Sequence, residues 1–167
     1  MFKNLSFIYR LIYVSMGTVF NNNVFVYDTI IEAFDRLSQQ DESTYKQLRV
    51  VMSVGEANIK SYEDRIVSED YRIPENVQLF ASVPQLELLP RATLFVTHAG
   101  MNSTSEAIEN AVPLICVPIQ ADQPAVARRV CDELRLGVRL DPLKMTADDV
   151  VKAVLEVINN KEYKDNI

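Results

Sequence analysis

The chain has 167 residues, 48% apolar and 24% charged, with 17 basic residues against 23 acidic ones and a net charge of -6. A single domain spanning 1–167 with a real core is expected, because a chain of this size buries roughly 70% of the surface it exposes when unfolded. The profile excludes a disordered tail, a fibre and a disulfide-dense miniature, and the acidic balance argues against nucleic acid or an anionic membrane as partner, since both need a basic face. Two cysteines, Cys116 and Cys131, and one histidine do not make a zinc site by the usual spacings. The sequence has neither a signal-peptide pattern nor an apolar run of the ~18 residues a membrane span needs, so a cytoplasmic protein with reduced thiols is the expectation.

Residues 11–15 form a short apolar run closed by Gly17, the pattern of a buried parallel strand. Residues 24–38 place Val26, Ile30, Ala33, Phe34 and Leu37 at helical spacing. A second β-branched run, 48–54, is closed by Gly55, and the segment 56–73, rich in Glu, Asp, Ser and Tyr, reads as an irregular or marginally helical insert. Strands at 77–80 and 94–97 follow, then a helix over 103–110, a strand at 113–117, a helix over 122–135, a strand at 138–140 and a helix from Thr146 to Asn159. Strands alternating with helices imply an α/β fold: a doubly wound, Rossmann-like parallel sheet with helices on both faces.

Only four glycines occur, and Gly17, Gly55 and Gly100 each stand just past the carboxyl end of a predicted strand. In open α/β sheets the ligand crevice lies outside those ends, where the backbone turns tightly and a ligand comes close. Neither G-x-G-x-x-G nor G-x-x-x-x-G-K-[ST] is present, which disfavours a dinucleotide dehydrogenase and a P-loop NTPase.

The densest polar stretch is Thr97-His98-Ala99-Gly100-Met101-Asn102-Ser103-Thr104-Ser105-Glu106, between an apolar strand and an apolar-striped helix. Ser103-x-x-Glu106 fits a capping box, and Asn102 fits a cap instead. The competing reading is an anion site, with free backbone N–H groups and the positive end of the helix dipole receiving a phosphate and Asn102 and Ser103 adding donors. His98, the sole histidine, stands two residues before a glycine at a strand end, which points to a phosphate donor. Asp122-Gln123 opens the next helix. Asp122 fits an N-cap with Pro124 in the first turn, while an acceptor beside a mixed donor–acceptor also suits neighbouring sugar hydroxyls.

Several separated motifs in order now resemble one family. Ser82-Val83-Pro84-Gln85-Leu86-Glu87-Leu88-Leu89, Phe95 through Glu106, Val112-Pro113 and Pro118-Ile119-Gln120-Ala121-Asp122-Gln123 are similar to the donor-binding signature of UDP-dependent glycosyltransferases, most of all the bacterial macrolide type. Tyr13-Val14-Ser15-Met16-Gly17-Thr18-Val19-Phe20 and Val51-Met52-Ser53-Val54-Gly55 also resemble that subgroup, and the likeness runs from about Leu11 to about Lys164.

The resemblance implies the C-terminal, donor-binding half of a GT-B fold. It implies that His98, Gly100, Asn102 and Ser103 meet the diphosphate with Ser15, Gly17 and Thr18 nearby, and that Glu106 takes the ribose hydroxyls. Val83 and Gln85 are implied to line the uracil, and Asp122 and Gln123 to hold the transferred sugar. Many relatives stack a Trp on the base; this chain has none, so backbone hydrogen bonds are expected to contribute more. His98-Ala99-Gly100 stands where many relatives carry His-Gly-Gly. The implied reaction is inverting sugar transfer from a UDP-sugar to a small-molecule hydroxyl acceptor, with no metal or other cofactor. In the family the general base is a histidine of an N-terminal acceptor domain, which this chain does not resemble, so the chain alone is expected to be inactive. A donor-binding subunit of a two-subunit transferase and a non-catalytic nucleotide-binding module are the competing readings.

Overall fold

The computed structural model describes residues 10–18, 23–40, 47–68 and 71–167; Val19 and Phe20 of the opening motif lie outside them. Strands β1 (Arg10–Ser15), β2 (Leu48–Ser53), β3 (Val77–Phe80), β4 (Ala92–Thr97), β5 (Leu114–Cys116) and β6 (Gly137–Arg139) form one six-stranded sheet in the order β3-β2-β1-β4-β5-β6. All pairings are parallel, with Ser15 of β1 opposite Ser53 of β2 and Thr97 of β4. The helices are α1 (Val24–Ser38), α2 (Glu56–Ser68), α3 (Gln85–Leu88), α4 (Met101–Glu109), α5 (Gln123–Ala127), α6 (Ala147–Asn159) and α7 (Glu162–Asn166).

The period of two along each strand distributes side chains to two cores. Ile12, Val14, Val50, Met52, Leu94, Val96 and Ile115 pack with Ile30, Phe34 and Leu37 of α1, Tyr62 of α2 and Val150, Val154 and Val157 of α6. Leu11, Tyr13, Val51, Phe95, Leu114 and Cys116 pack on the opposite face with Leu88 of α3, Ala107 of α4 and Val126 and Ala127 of α5. Burial of each such side chain contributes about 1.5–3 kcal/mol, so neither face of β1 or β4 could be left wet. The sheet is therefore wound on both faces, as the sequence predicts.

Several elements begin where local chemistry dictates. Asn23 starts α1 by accepting from the Val26 N–H at 3.4 Å. Thr146 and Asp149 form a reciprocal capping box on α6. Of the two readings of the segment 56–73, irregular or marginally helical, the helical one holds over residues 56–68. Only Asn58 and Tyr62 of α2 are buried, so it lacks a broad apolar stripe. It is anchored instead by polar contacts to α1, where Asp28 Oδ1 accepts from Tyr62 at 3.0 Å, from Arg65 at 3.0 Å and from Tyr71 at 3.2 Å. The helix expected over 122–135 is α5 continued by a π-helical stretch, Arg128–Glu133.

The strand order reverses between β1 and β4, and that switch point is where an open parallel sheet leaves a crevice at its carboxyl edge.

Candidate functional site

A cleft of about 830 Å³ opens at that edge, and its walls are the segments that follow β1, β3, β4 and β5. Of the residues singled out in the sequence, Ser15, Gly17, Thr18, Val83, Gln85, His98, Gly100, Asn102, Ser103, Glu106 and Gln123 line it. Asp122 does not line it; it is exposed beside Ala121 and Gln123, which do. Tyr13, Met16 and Ser53 also line the cleft; they stand inside the quoted motifs, where the resemblance implies no role for them.

His98 follows β4 directly and leans across to the turn after β1. A Cβ built on Gly17 would lie 2.7 Å from its Nε2, and one built on Gly100 would lie closer still. Carbon does not approach a ring nitrogen that nearly, so the two glycines form a cradle for the imidazole. Gly17 also takes a left-handed φ of +80°, which Gly adopts without the Cβ penalty. The half-buried ring has its pKa lowered, mainly by burial, against a hydrogen bond to the Ser15 backbone and the charge of Asp122. At neutral pH the ring is uncharged, one nitrogen donating and one accepting. Between His98 and Gly100, Ala99 is fully buried with φ +62°, a conformation that costs a side-chain-bearing residue about 1–2 kcal/mol.

Helix α4 begins two residues earlier than the sequence predicts, on Gly100, which offers no capping side chain. The capping box expected from Ser103-x-x-Glu106 is therefore absent: both residues lie inside the helix. The first-turn N–H groups of an α-helix have no intrahelical acceptor, and here the residues carrying them, Met101 to Ser103, line the cleft. This is the positive end of the helix dipole, aimed at an electronegative ligand. Glu87 and Glu106 are the only fully charged side chains among the described residues of the lining, so an anion here meets backbone amides and His98 rather than a guanidinium or ammonium.

Glu106 turns instead to Gln85 of α3. The Gln85 amide donates from Nε2 to Glu106 Oε2 at 2.6 Å and to Ser103 Oγ at 3.2 Å, and its Oε1 accepts from the Tyr13 hydroxyl at 3.1 Å. A carboxylate beside a cis-diol can accept from two hydroxyls, which is the chemistry this wall offers.

The third wall follows β5. Gln123 Oε1 accepts from the backbone N–H of Ile119 at 2.9 Å and of Gln120 at 3.0 Å, holding the loop that carries Ala121 at φ +54°. Asp122 stands at the N-cap position without a side-chain cap bond. Stability effects should follow these bonds. Asp122→Asn is expected to change unfolding free energy by less than about 0.5 kcal/mol, as at an ordinary surface site. Gln123→Ala leaves two backbone donors unpaired and is expected to cost about 1–3 kcal/mol, read from urea denaturation. Equal losses in both variants would contradict these bonding roles.

The family model described as UDP-glucoronosyl and UDP-glucosyl transferase matches residues 54–167. NDP-glycosyltransferase YjiC of Bacillus licheniformis is 41% identical over 142 residues, covering 84% of this chain and 31% of the relative. YjiC of Bacillus subtilis is 40% identical over 153 residues, covering 91% of this chain and 34% of the relative. The chain thus spans about a third of the length of these curated relatives. Among solved structures, the glycosyltransferase of kitacinnamycin superposes with a TM-score of 0.77 at 29% identity, over 94% of this chain and 36% of that one. Os79 of O. sativa in complex with UDP superposes with a TM-score of 0.74 at 26% identity, over 94% of this chain and 35% of that one. The fold is that of one Rossmann-like half of a GT-B glycosyltransferase.

Proposed function

Because the chain belongs to the UDP-glucoronosyl and UDP-glucosyl transferase family, we propose that it is the nucleotide-sugar-binding half of an inverting glycosyltransferase that acts on small-molecule hydroxyl acceptors. The observation that carries this reading is the convergence of motifs scattered from Ser15 to Gln123 on one cleft at the sheet's switch point. In it, the diphosphate of a UDP-sugar lies against the N-terminus of α4 and His98, whose ring sits in the space that Gly17 and Gly100 leave. Glu106, held by Gln85, takes the ribose hydroxyls, and Val83 lies along the base. Tyr13 and His98 are the only aromatic rings among the described lining residues, so the base is held by backbone groups and aliphatic contact. That Os79 was solved with UDP supports the nucleotide assignment.

Sugar transfer leaves negative charge on the departing UDP. Donors fixed at the N-terminus of α4 stabilise that charge without reorganising, and such fixed donors commonly supply more of an enzyme's rate enhancement than any other effect. The acceptor hydroxyl also needs a base, and the sole histidine of the sequence sits in the diphosphate wall. The chain by itself therefore binds donor and transfers no sugar. Gln123, and Asp122 after a small rotation of its exposed side chain, face the sugar. Asp122→Asn then weakens UDP-glucose while sparing UDP.

The reading is tested by thermal shift with UDP, UDP-glucose, UDP-galactose, UDP-GlcNAc, TDP-glucose and NAD. A ligand at a hundred times its Kd adds about 2.7 kcal/mol of stability. For a chain of this size that is a rise in Tm of roughly 5–11 °C with the UDP species and none with NAD. No shift with any UDP species at millimolar concentration would refute the assignment.

A further inference from the structure

Tyr13 sits in the middle of β1, where the period of two buries its ring on Phe95, with centroids 4.7 Å apart and planes within 5°. Its hydroxyl lies at the cleft floor, where it donates to Gln85 Oε1 at 3.1 Å with the Ser15 and Ser53 side chains beside it. The chemistry along this chain of groups has one direction. An ionised Glu106 can only accept, so the Gln85 group 2.6 Å from it must be the NH₂. Ser103 takes the second N–H at 3.2 Å. The carbonyl oxygen of Gln85 is thereby turned toward β1 and needs a donor. Burial pushes the Tyr13 phenol up to about 12, so it is protonated across the neutral range and supplies that donor. Among the described residues no side chain or backbone group bonds Glu106 Oε1, which leaves it for a ligand.

We infer that Tyr13 is a positioning residue that fixes the Gln85 amide so that one carboxylate oxygen of Glu106 is held and the other is presented to the nucleotide's ribose, making a tyrosine in the core of β1 a determinant of ribo- over deoxyribonucleotide selectivity. The inference rests on the donor-binding reading above. Without the phenol, Gln85 Oε1 loses the donor that fixes it, the amide is no longer held in one orientation, and when turned over its oxygen faces the carboxylate, which is repulsive. Glu106 swings away and a ribose hydroxyl loses its acceptor. Tyr13 acts here through Gln85 and makes no ligand contact of its own.

The test compares UDP with 2′-deoxy-UDP by titration calorimetry on the full 167-residue chain. The wild type is expected to prefer UDP by about tenfold or more, the worth of one hydrogen bond to a charged group. Tyr13→Phe keeps the stacked ring and is expected to lower that preference at least about threefold, chiefly by weakening UDP. Gln85→Ala, a change on the cleft wall that disturbs no core packing, is expected to lower it alike, and adding Tyr13→Phe to Gln85→Ala to change it no further, as two links of one chain should. If Tyr13→Phe does not fold, the ratio in Gln85→Ala decides: an unaltered ratio there rejects the inference. A Tyr13→Phe preference equal to wild type, or UDP and 2′-deoxy-UDP weakened by the same factor, overturns it as well. A wild type that binds both nucleotides equally rejects the ribose role of Glu106 and this inference together while leaving nucleotide binding intact. Only a wild type that binds neither overturns the proposed function.

Discussion

Replacing His98 by Ala is expected to weaken UDP binding by about 10- to 100-fold, the effect of deleting a donor aimed at a charged group, which is worth about 1.5–3 kcal/mol. The ring is held by the two glycines that flank it, so its orientation is fixed before ligand arrives. With one N–H on the Ser15 backbone, the donor for the diphosphate is the second N–H, which comes with the proton that a bound anion favours. His98→Gln, which keeps an N–H donor on a side chain of similar reach, should recover part of the affinity. The ring also fills the space between Gly17 and Gly100, so binding is to be measured on the folded variant, with urea denaturation as its companion. A Kd for UDP within twofold of wild type in His98→Ala would reduce the residue to packing.

The same imidazole gives a pH signature with opposite signs for stability and binding. Its folded pKa lies below the ordinary 6.5, chiefly through burial. Between the folded value and 6.5 the unfolded chain carries a proton that the folded chain does not, so stability rises with pH there, is complete above about 6.5, and is lost as pH falls below it. A bound diphosphate favours the charged ring and raises its pKa. Affinity for UDP-glucose, whose diphosphate diester does not itself titrate near pH 6, should therefore increase as pH falls below 6.5. Calorimetry at pH 6 in two buffers of different ionisation enthalpy should show proton uptake in wild type and none in His98→Gln. Uptake that persists in the variant would assign it to another group.

The strand–helix alternation and the switch-point site are legible in the sequence because they depend on local patterns. Asn23 caps α1 where the periodic stripe begins, and the apolar runs at β1, β2 and β4 end in residues that line the cleft or stand beside it. What is not legible depends on partners far along the chain. Glu56–Ser68 is helical because Asp28, 34 residues before Tyr62, collects three donors, and no periodicity carries that information. Ser103-x-x-Glu106 matches a capping box in every local respect, yet Gln85, 21 residues earlier, takes the Glu106 carboxylate. Tyr13 reads as one more apolar strand position, since its ring does obey the pattern and only its hydroxyl does not. The glycines after β1 and β4 read as room for a ligand, and the structure fills that room with the His98 ring.

That last difference gives the second large effect. Gly17→Ala is expected to damage both stability and nucleotide binding, whereas Gly55→Ala should damage stability alone. Both glycines are left-handed, at φ +80° and +84°, so a Cβ at either costs about 1–2 kcal/mol in backbone strain. For a chain of this length that corresponds to a fall in Tm of roughly 2–8 °C. Only at Gly17 would the new methyl meet His98, 2.7 Å from Nε2 and 2.8 Å from Cε1. The ring cannot retreat past Gly100, whose own Cβ direction points at the same nitrogen, so it must tip out of its cradle and away from the N-terminus of α4. The diphosphate then loses its side-chain donor, and UDP affinity should fall by about tenfold or more, approaching the His98→Ala value. Combining Gly17→Ala with His98→Ala should add little further loss of affinity, because both remove one donor, and the smaller side chain should recover some of the stability. Denaturation curves and calorimetric titrations of the four variants separate backbone strain from the lost donor. A Gly17→Ala protein that binds UDP as tightly as Gly55→Ala does would show that the cradle is not what holds His98 on the diphosphate.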